Sequence, residues 1–552
     1  MRQLSPAPQA FVRRWSRLAL GAAVAVAGAA SLPAAASASH NQLVIIQDGS
    51  DLNNPAGAFQ EFRQLGANAV RVVLPWAAIA PRSTSKHKPN FNATDPNAYA
   101  AKSWAPFDAI VRAANDNGIT VDLTISGGAP RWAEASAAPP ALNANAAFFA
   151  WRPDAAAYGQ FVRAVGKRYS GNFSPKGGGG PLPAVHFWAL FNEPNFGQDL
   201  GPQAINDSTI LTAPMYYRSL VNQGYKALKA TGHSRGNTIL IGEFAAQGFE
   251  PGPFPRASGG LPGNFGQTRP LLFIRQMYCV DNSFRPLRGG YARAVGCPTS
   301  TAASRRFRSQ NPGLFNVSGL SLHPYGQAQS PVSNAGNKVD YGLFQDIPQV
   351  EATIDHVNRV YGSHKRFPIY NTEYGYITNP PHRGYPSPGT AAYYINWAEY
   401  LSWKQSRVGS YMQYLLADPP PVKGLAYNGF ASGLVFSNGK HKPSYDAFRM
   451  PLYMPHTSFS RNANEELWGA VRPASFMNKD GDGPQTVSVQ LNGQTIKKLN
   501  VTGSGGYFDI RMKFPKSGSV RLAYTYPSRN SFLPLSNLGK TIHSRSFRIN
   551  VH

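Results

Sequence analysis

From residue 43 to about 450, short unbroken apolar runs alternate with longer amphipathic ones. LVIIQD, NAVRVVLPW, TVDLTIS, AVHFWALFNE, TILIGEF, VSGLSLHPY, FPIYNTEY and SYMQYLLAD have the continuous apolar character of strands covered on both faces. Between them AFQEFRQLG, PFDAIVRAANDNG, DAAAYGQFVRAVGKRY, MYYRSLVNQGYKALKATG, QVEATIDHVNRVYG and TAAYYINWAEYLSWKQ read as helices. Several stop at a glycine (Gly66, Gly118, Gly232, Gly362), as helices commonly do. Eight strands alternating with helices predict an α/β fold, a (β/α)8 barrel of the TIM type over 39–455. Pro- and Gly-rich insertions fall around 80–104, 134–152, 171–183, 247–269 and 285–313, and are expected to wall the barrel mouth.

Past residue 455 the period shortens to two. QTVSVQLNGQTIKKLNVTG, GYFDIRMKF, GSVRLAYTYP and HSRSFRINVH alternate apolar and polar positions, with Asn492-Gly493 as a hairpin signal. Residues 456–552 are thus expected to form an all-β, sandwich-like domain without helices. Gly177–Gly180 is a surface loop, because no Lys-Ser/Thr follows to make a phosphate cradle.

The first 38 residues fall outside this scheme. Arg13, Arg14 and Arg17 flank a 13-residue apolar core, and Ala36-Ser37-Ala38 fits a small-residue cleavage site. Residues 1–38 read as a secretory signal peptide of the general or twin-arginine type, a retained anchor being the alternative. No later apolar run is long enough to cross a bilayer. An extracellular mature protein follows. In that setting Cys279 and Cys297 most simply form one disulfide, the alternative being two buried thiols.

The 552-residue chain has a formal charge of +26, and loss of 1–38 removes four arginines and no acid, leaving +22. Such a charge draws a protein towards polyanions. The Lys and Arg residues are scattered along the chain, which favours nonspecific adhesion to anionic wall polymers over specific nucleic-acid recognition.

The chemistry points to two glutamates. Glu193 ends the fourth apolar run, between Asn192 and Pro194, and Glu373 ends the seventh. A barrel brings such residues to one mouth, and two facing carboxyl groups are the working parts of most glycosidases. Glu243 ends the fifth run as a third carboxylate, placed to bind substrate, to raise the pKa of Glu193 by repulsion, or to order structure. HExxH, Cys-x-x-Cys and an acidic calcium loop are all missing from the sequence, so no metal and no cofactor is expected.

FNEPN followed by NTEYG resembles glycoside hydrolase clan A, whose barrels carry catalytic glutamates on strands four and seven. The resemblance covers most of 43–450. It implies Glu193 as acid/base, Glu373 as nucleophile, and Asn192 as a ligand of the sugar hydroxyl beside the anomeric carbon. Arg71 in RVVLPW matches the clan's Arg supporting the nucleophile, and His323 and Tyr325 in SLHPYG match its His and Tyr near that group. GGAPRWA resembles the branch containing β-xylosidases and α-L-iduronidases, making Trp132 either a sugar platform or core packing. GLVFSNGKHKPSYDAF is similar to the closing segment of that branch. The chain departs from the clan on strand eight, where Met412, Gln413 and Tyr414 stand in place of a Trp, and this leaves the sugar open. The implied activity is retaining hydrolysis of O-glycosidic bonds in an oligo- or polysaccharide. The alternatives are transglycosylation at the same site and a non-catalytic glycan-binding barrel.

Overall fold

A computed structural model describes residues 39, 42–48, 53–138, 142, 147–205, 209–249, 265–333, 339–420 and 429–552. The expected signal peptide lies outside the described residues, whose helices include none long and apolar enough to cross a membrane. Eight strands close into a barrel in sequence order: β1 (Leu43–Gln47), β2 (Ala69–Pro75), β3 (Thr120–Ser126), β4 (Phe187–Leu190), β5 (Thr238–Ala245), β6 (Gly319–His323), β7 (Ile369–Asn371) and β8 (Val408–Tyr414). Every neighbouring pair is parallel, and β8 closes on β1 with Leu43 opposite Ser410 and Gln47 opposite Tyr414. The all-apolar strands are explained by this closure. Their outward side chains pack under helices, whereas Ile45, Ala69, Phe187, Ala189, Leu240 and Met412 fill the barrel's interior.

Local signals set the helices. Asp154 accepts from the Ala157 N–H at 2.7 Å to open the helix Ala155–Arg168, and Ser387 caps Pro388–Trp403 in the same way. Gly66 ends Pro55–Leu65 at φ 70°. Two of the five insertions are not at the mouth. Residues 171–183 connect a helix to β4, and 285–313 lie between the helix Pro270–Met277 and β6, so both belong to the end of the barrel where strands begin. Composition marks a long connection but not its direction. The Cys279–Cys297 disulfide forms within this second connection.

The C-terminal strands are β9 (Leu452–Tyr453), β10 (Ser458–Phe459), β11 (Glu465–Ala470), β12 (Gln485–Leu491), β13 (Gln494–Val501), β14 (Tyr507–Met512), β15 (Gly518–Thr525), β16 (Thr541–His543) and β17 (Phe547–Val551). They form a sheet in the order β10-β17-β15-β12-β13, with β16 on β15, and a second sheet β14-β11-β9. Asn492 (φ 50°) and Gly493 (φ 82°) make the β12–β13 hairpin turn, as the sequence indicates. The expectation of a helix-free region needs correction, because Arg472–Lys479 is a helix. Its Pro473 at the first turn and its buried Ala474, Phe476 and Met477 give a short 3.6-residue pattern that the flanking period-two strands obscure. The apolar core of this region also takes in Tyr400 and Trp403 from the barrel helix Pro388–Trp403. Beneath it, buried Arg472 pairs with buried Glu399, which also accepts from the Tyr507 hydroxyl at 2.7 Å.

Candidate active site

The site is organised around Arg71, which points into the barrel from the middle of β2 and is fully buried. Nη1 donates to Glu373 Oε1 at 2.5 Å and to Gln47 Oε1 at 2.7 Å, and Nη2 donates to Asn192 Oδ1 at 2.7 Å. The same guanidinium forms a short ion pair with Glu243, its Nε lying 3.4 Å from Oε1. One cation thus holds residues from strands one, two, four, five and seven in register. Burial works against its charge, but Glu243 and Glu373 outweigh that and raise its pKa above the ordinary guanidinium range.

The strand ends aim the carboxylates. Phe191 (φ 76°) and Glu193 (φ 35°) after β4, and Glu243 (φ 51°) in β5, all lie in the left-handed region, where non-glycine residues are strained by about 1–3 kcal/mol each. Gly242 precedes Glu243 at φ 113°, and a Cβ there would lie 2.4 Å from the Ser321 carbonyl oxygen. Only glycine permits that bend. The result is a backbone hydrogen bond from the Glu193 N–H to the Glu243 carbonyl at 3.1 Å, which ties the two turns together.

Glu193 and Glu373 face one another. His323 Nδ1 lies 2.9 Å from Glu193 Oε1 and 3.6 Å from Glu373 Oε2, and the Tyr325 hydroxyl donates to Glu373 Oε2 at 3.2 Å. One atom from each of Glu193, His323 and Glu373 falls within 4.8 Å of the others. Three such ligands suit a divalent ion in number, but Arg71, bonded to Glu373, already supplies positive charge there. Burial pushes the Glu193 carboxyl up to about 7, opposed by Arg71 and reinforced by Glu243. Glu243 is itself sealed off and also accepts from Thr124 Oγ1 at 3.3 Å. Burial lowers the pKa of His323, so the imidazole is neutral at pH 7.

A cavity of about 270 Å³ opens over the two glutamates. Asn192, Glu193, Tyr325 and Glu373 line it, with Phe196, Tyr414 and Phe430 as aromatic walls and Gln247, Gln267 and Gln327 as amides. Of the strand-eight residues, Tyr414 reaches the cavity and meets Phe430 edge-on at 5.7 Å, Gln413 is tied to the Ser432 carbonyl, and Met412 sits in the barrel interior. Trp132 does not line this cavity. Its indole packs edge-on against Trp76 at 6.1 Å and Phe91 at 5.7 Å and donates to the Pro81 carbonyl, which is the core-packing alternative.

Sequence reading missed several contributors. Gln47 ends β1 as a polar residue after an apolar run, the signal that revealed Glu193, so it was findable. Asp122 lies opposite Arg71 in the β2–β3 register, fully buried, with neither carboxyl oxygen hydrogen-bonded among the described residues, and burial, aided by Glu243, pushes it up to about 8. Asp199 accepts from Asn192 Nδ2 at 3.4 Å, and burial and then Glu193 hold its pKa well above the carboxylate range. The loop that carries Asp199 has no periodicity to betray it.

No family model and no curated protein matches the chain. Among solved structures it is similar to a family 39 glycoside hydrolase from Bacteroides cellulosilyticus WH2, at 14% identity and TM-score 0.44 over 86% of this chain and 79% of that one. A glucosidase from Croceicoccus marinus aligns at 14% and 0.44 over 93% of each chain. The family 1 β-glucosidase from Thermotoga maritima aligns at 16% and 0.43, over 72% of this chain and 85% of its own. At these scores the likeness carries no inference about chemistry, which rests on the geometry above.

Proposed function

We propose that the protein is an exported retaining glycoside hydrolase that cleaves O-glycosidic bonds in an oligo- or polysaccharide. The observation that carries this reading is the pairing of two close carboxyl groups in unlike surroundings. Glu373 is clamped by Arg71 and Tyr325, and Glu193 is desolvated beside a neutral imidazole. Carboxyl oxygens within 4.8 Å of each other favour attack by a carboxylate, with separations of about 5–5.5 Å, over the 6.5–9.5 Å that leaves room for a water.

In this mechanism Glu193, protonated near neutral pH, gives its proton to the glycosidic oxygen as the C–O bond breaks. Glu373 attacks the anomeric carbon to form a glycosyl ester. Glu193, now ionised, takes a proton from water, which displaces Glu373 and restores both groups. Asn192, fixed by Arg71, is placed to bond the neighbouring hydroxyl, and Tyr414 and Phe430 offer apolar faces to the ring. The test is hydrolysis of aryl β-xylosides, β-glucosides, β-galactosides and α-L-arabinofuranosides beside xylan, arabinan and β-glucan. Activity on a panel member that Glu373→Gln lowers by at least about 10³-fold supports the reading. Retention of more than a few per cent of the rate by that variant would reject it.

A further inference from the structure

From residue 484 to the C-terminus the chain has ten Lys and Arg and one acid, Asp509, which lies on β14 in the smaller sheet. The larger sheet has no acidic residue on any of its strands. Its inner face buries Val487, Val489, Val520 and Leu522. Its outer face carries the alternate positions, and the register fixes where their charges stand. Lys498 is opposite Ser488, Arg521 is opposite Gln490, and Arg548 is opposite Ser519. Across the order β13-β12-β15-β17 these three cations step diagonally, two residues along the strands at each move. Strand spacing and rise put about 12 Å between the first two and about 8 Å between the second and third. Cations far apart in sequence therefore form one oblique row on the sheet.

None of the three is neutralised. No carboxylate among the described residues pairs with them, and Arg521 Nε donates to the amide oxygen of Gln490 at 2.8 Å. Asp446, which acts with Arg521 on His543, is paired with Arg449. Lys498 and Arg548 are exposed, and between the cations lie the hydroxyls of Ser488 and Ser519.

We propose that this outer face docks a linear anionic polysaccharide, a chain with carboxylate or sulfate groups at intervals, laid along the Lys498–Arg521–Arg548 diagonal. Charge complementarity supplies the attraction, and the serine hydroxyls and Gln490 suit sugar hydroxyls. Among the described residues the strands of this face offer no Phe, Tyr or Trp for stacking bases, which single-stranded nucleic acid needs, and their apolar residue there, Ala523, is buried and cannot enter a lipid surface. The proposal stands on this face alone and not on the hydrolytic reading.

The test uses the full chain and polygalacturonate, with dextran as the neutral control, measured by calorimetry at two salt concentrations. Wild type is expected to bind polygalacturonate but not dextran, more weakly at the higher salt. The triple variant Lys498→Gln, Arg521→Gln, Arg548→Gln should bind about tenfold more weakly, the scale of three exposed charge contacts. A second triple variant, Lys226→Gln, Lys229→Gln, Arg305→Gln, removes the same charge from exposed barrel helices and should bind like wild type. Equal losses in the two variants would show net charge alone and overturn the proposal, as would no binding by wild type. Tighter binding of single-stranded DNA than of polygalacturonate would overturn the occupant. Any aryl-glycoside activity should be unchanged in the first variant, so failure here is separable from failure of the glycosidase reading.

Discussion

Arg71 and the four carboxyls around it show how one charge sets several pKa values. Glu243 pushes Glu193 upward while Arg71 pulls it down, so Glu243→Gln removes repulsion and frees the guanidinium to act more strongly. Wild-type kcat/KM is expected to fall above a pH of about 7, as Glu193 loses its proton, and in Glu243→Gln this alkaline limb should move to lower pH. A limb that stays in place would show that Glu243 does not act on Glu193. Asp122 gives a prediction about stability. Its folded-state pKa, about 8, is above the unfolded value near 3.9, so the fold favours the neutral form. Its contribution is therefore fully present at low pH and is lost as pH rises through 8. Asp122→Asn should gain on wild type in urea midpoint between pH 5 and pH 8.5, and a constant difference across that range would contradict the assignment.

At the level of elements, helix ends and strand ends were legible to different degrees. Gly66 and Gly362 both end helices at φ 70°, as the sequence indicates, yet their surroundings differ. A Cβ on Gly66 would come 2.1 Å from the Arg472 Cβ, whereas a Cβ on Gly362 would meet nothing within 4 Å among the described residues. Gly362→Ala should cost only the left-handed penalty, about 1–2 kcal/mol, and Gly66→Ala clearly more. Equal losses by denaturant titration would mean that Arg472 yields without cost. Strand ends were readable because a carboxylate or amide after an apolar run is a simple signal, and Glu193, Glu243 and Glu373 all carried it. Trp132 stayed ambiguous because an aromatic beside a barrel mouth has the same sequence signature whether it faces the cavity or Trp76. Phe196, Gln267 and Phe430 lie in loops without period, so only tertiary placement reveals them.

At the scale of the molecule, the apolar core of the C-terminal sheets takes in residues of a barrel helix. Tyr400 and Trp403 bury against β11, and Glu399 relies on Arg472 for its charge partner. Removing 456–552 would uncover those aromatics and strip Glu399 of both Arg472 and the Tyr507 hydroxyl. The truncated barrel should be insoluble, and a soluble, cooperatively folding fragment would show that the sheets are an independent module. Alternation of apolar runs was enough to foresee the closed barrel, but not which connections lie at its mouth, because direction depends on whether a loop follows a strand or a helix.

The central claim is that Glu373 becomes covalently glycosylated while Glu193 manages the proton. A dinitrophenyl glycoside of the active panel sugar needs no acid to leave, so Glu193→Ala should form the ester and hydrolyse it slowly for want of a base. Intact-mass measurement followed by peptide mapping should find one added glycosyl unit on the peptide containing Glu373. Turnover by this variant with no adduct, or an adduct on any other residue, would contradict the account.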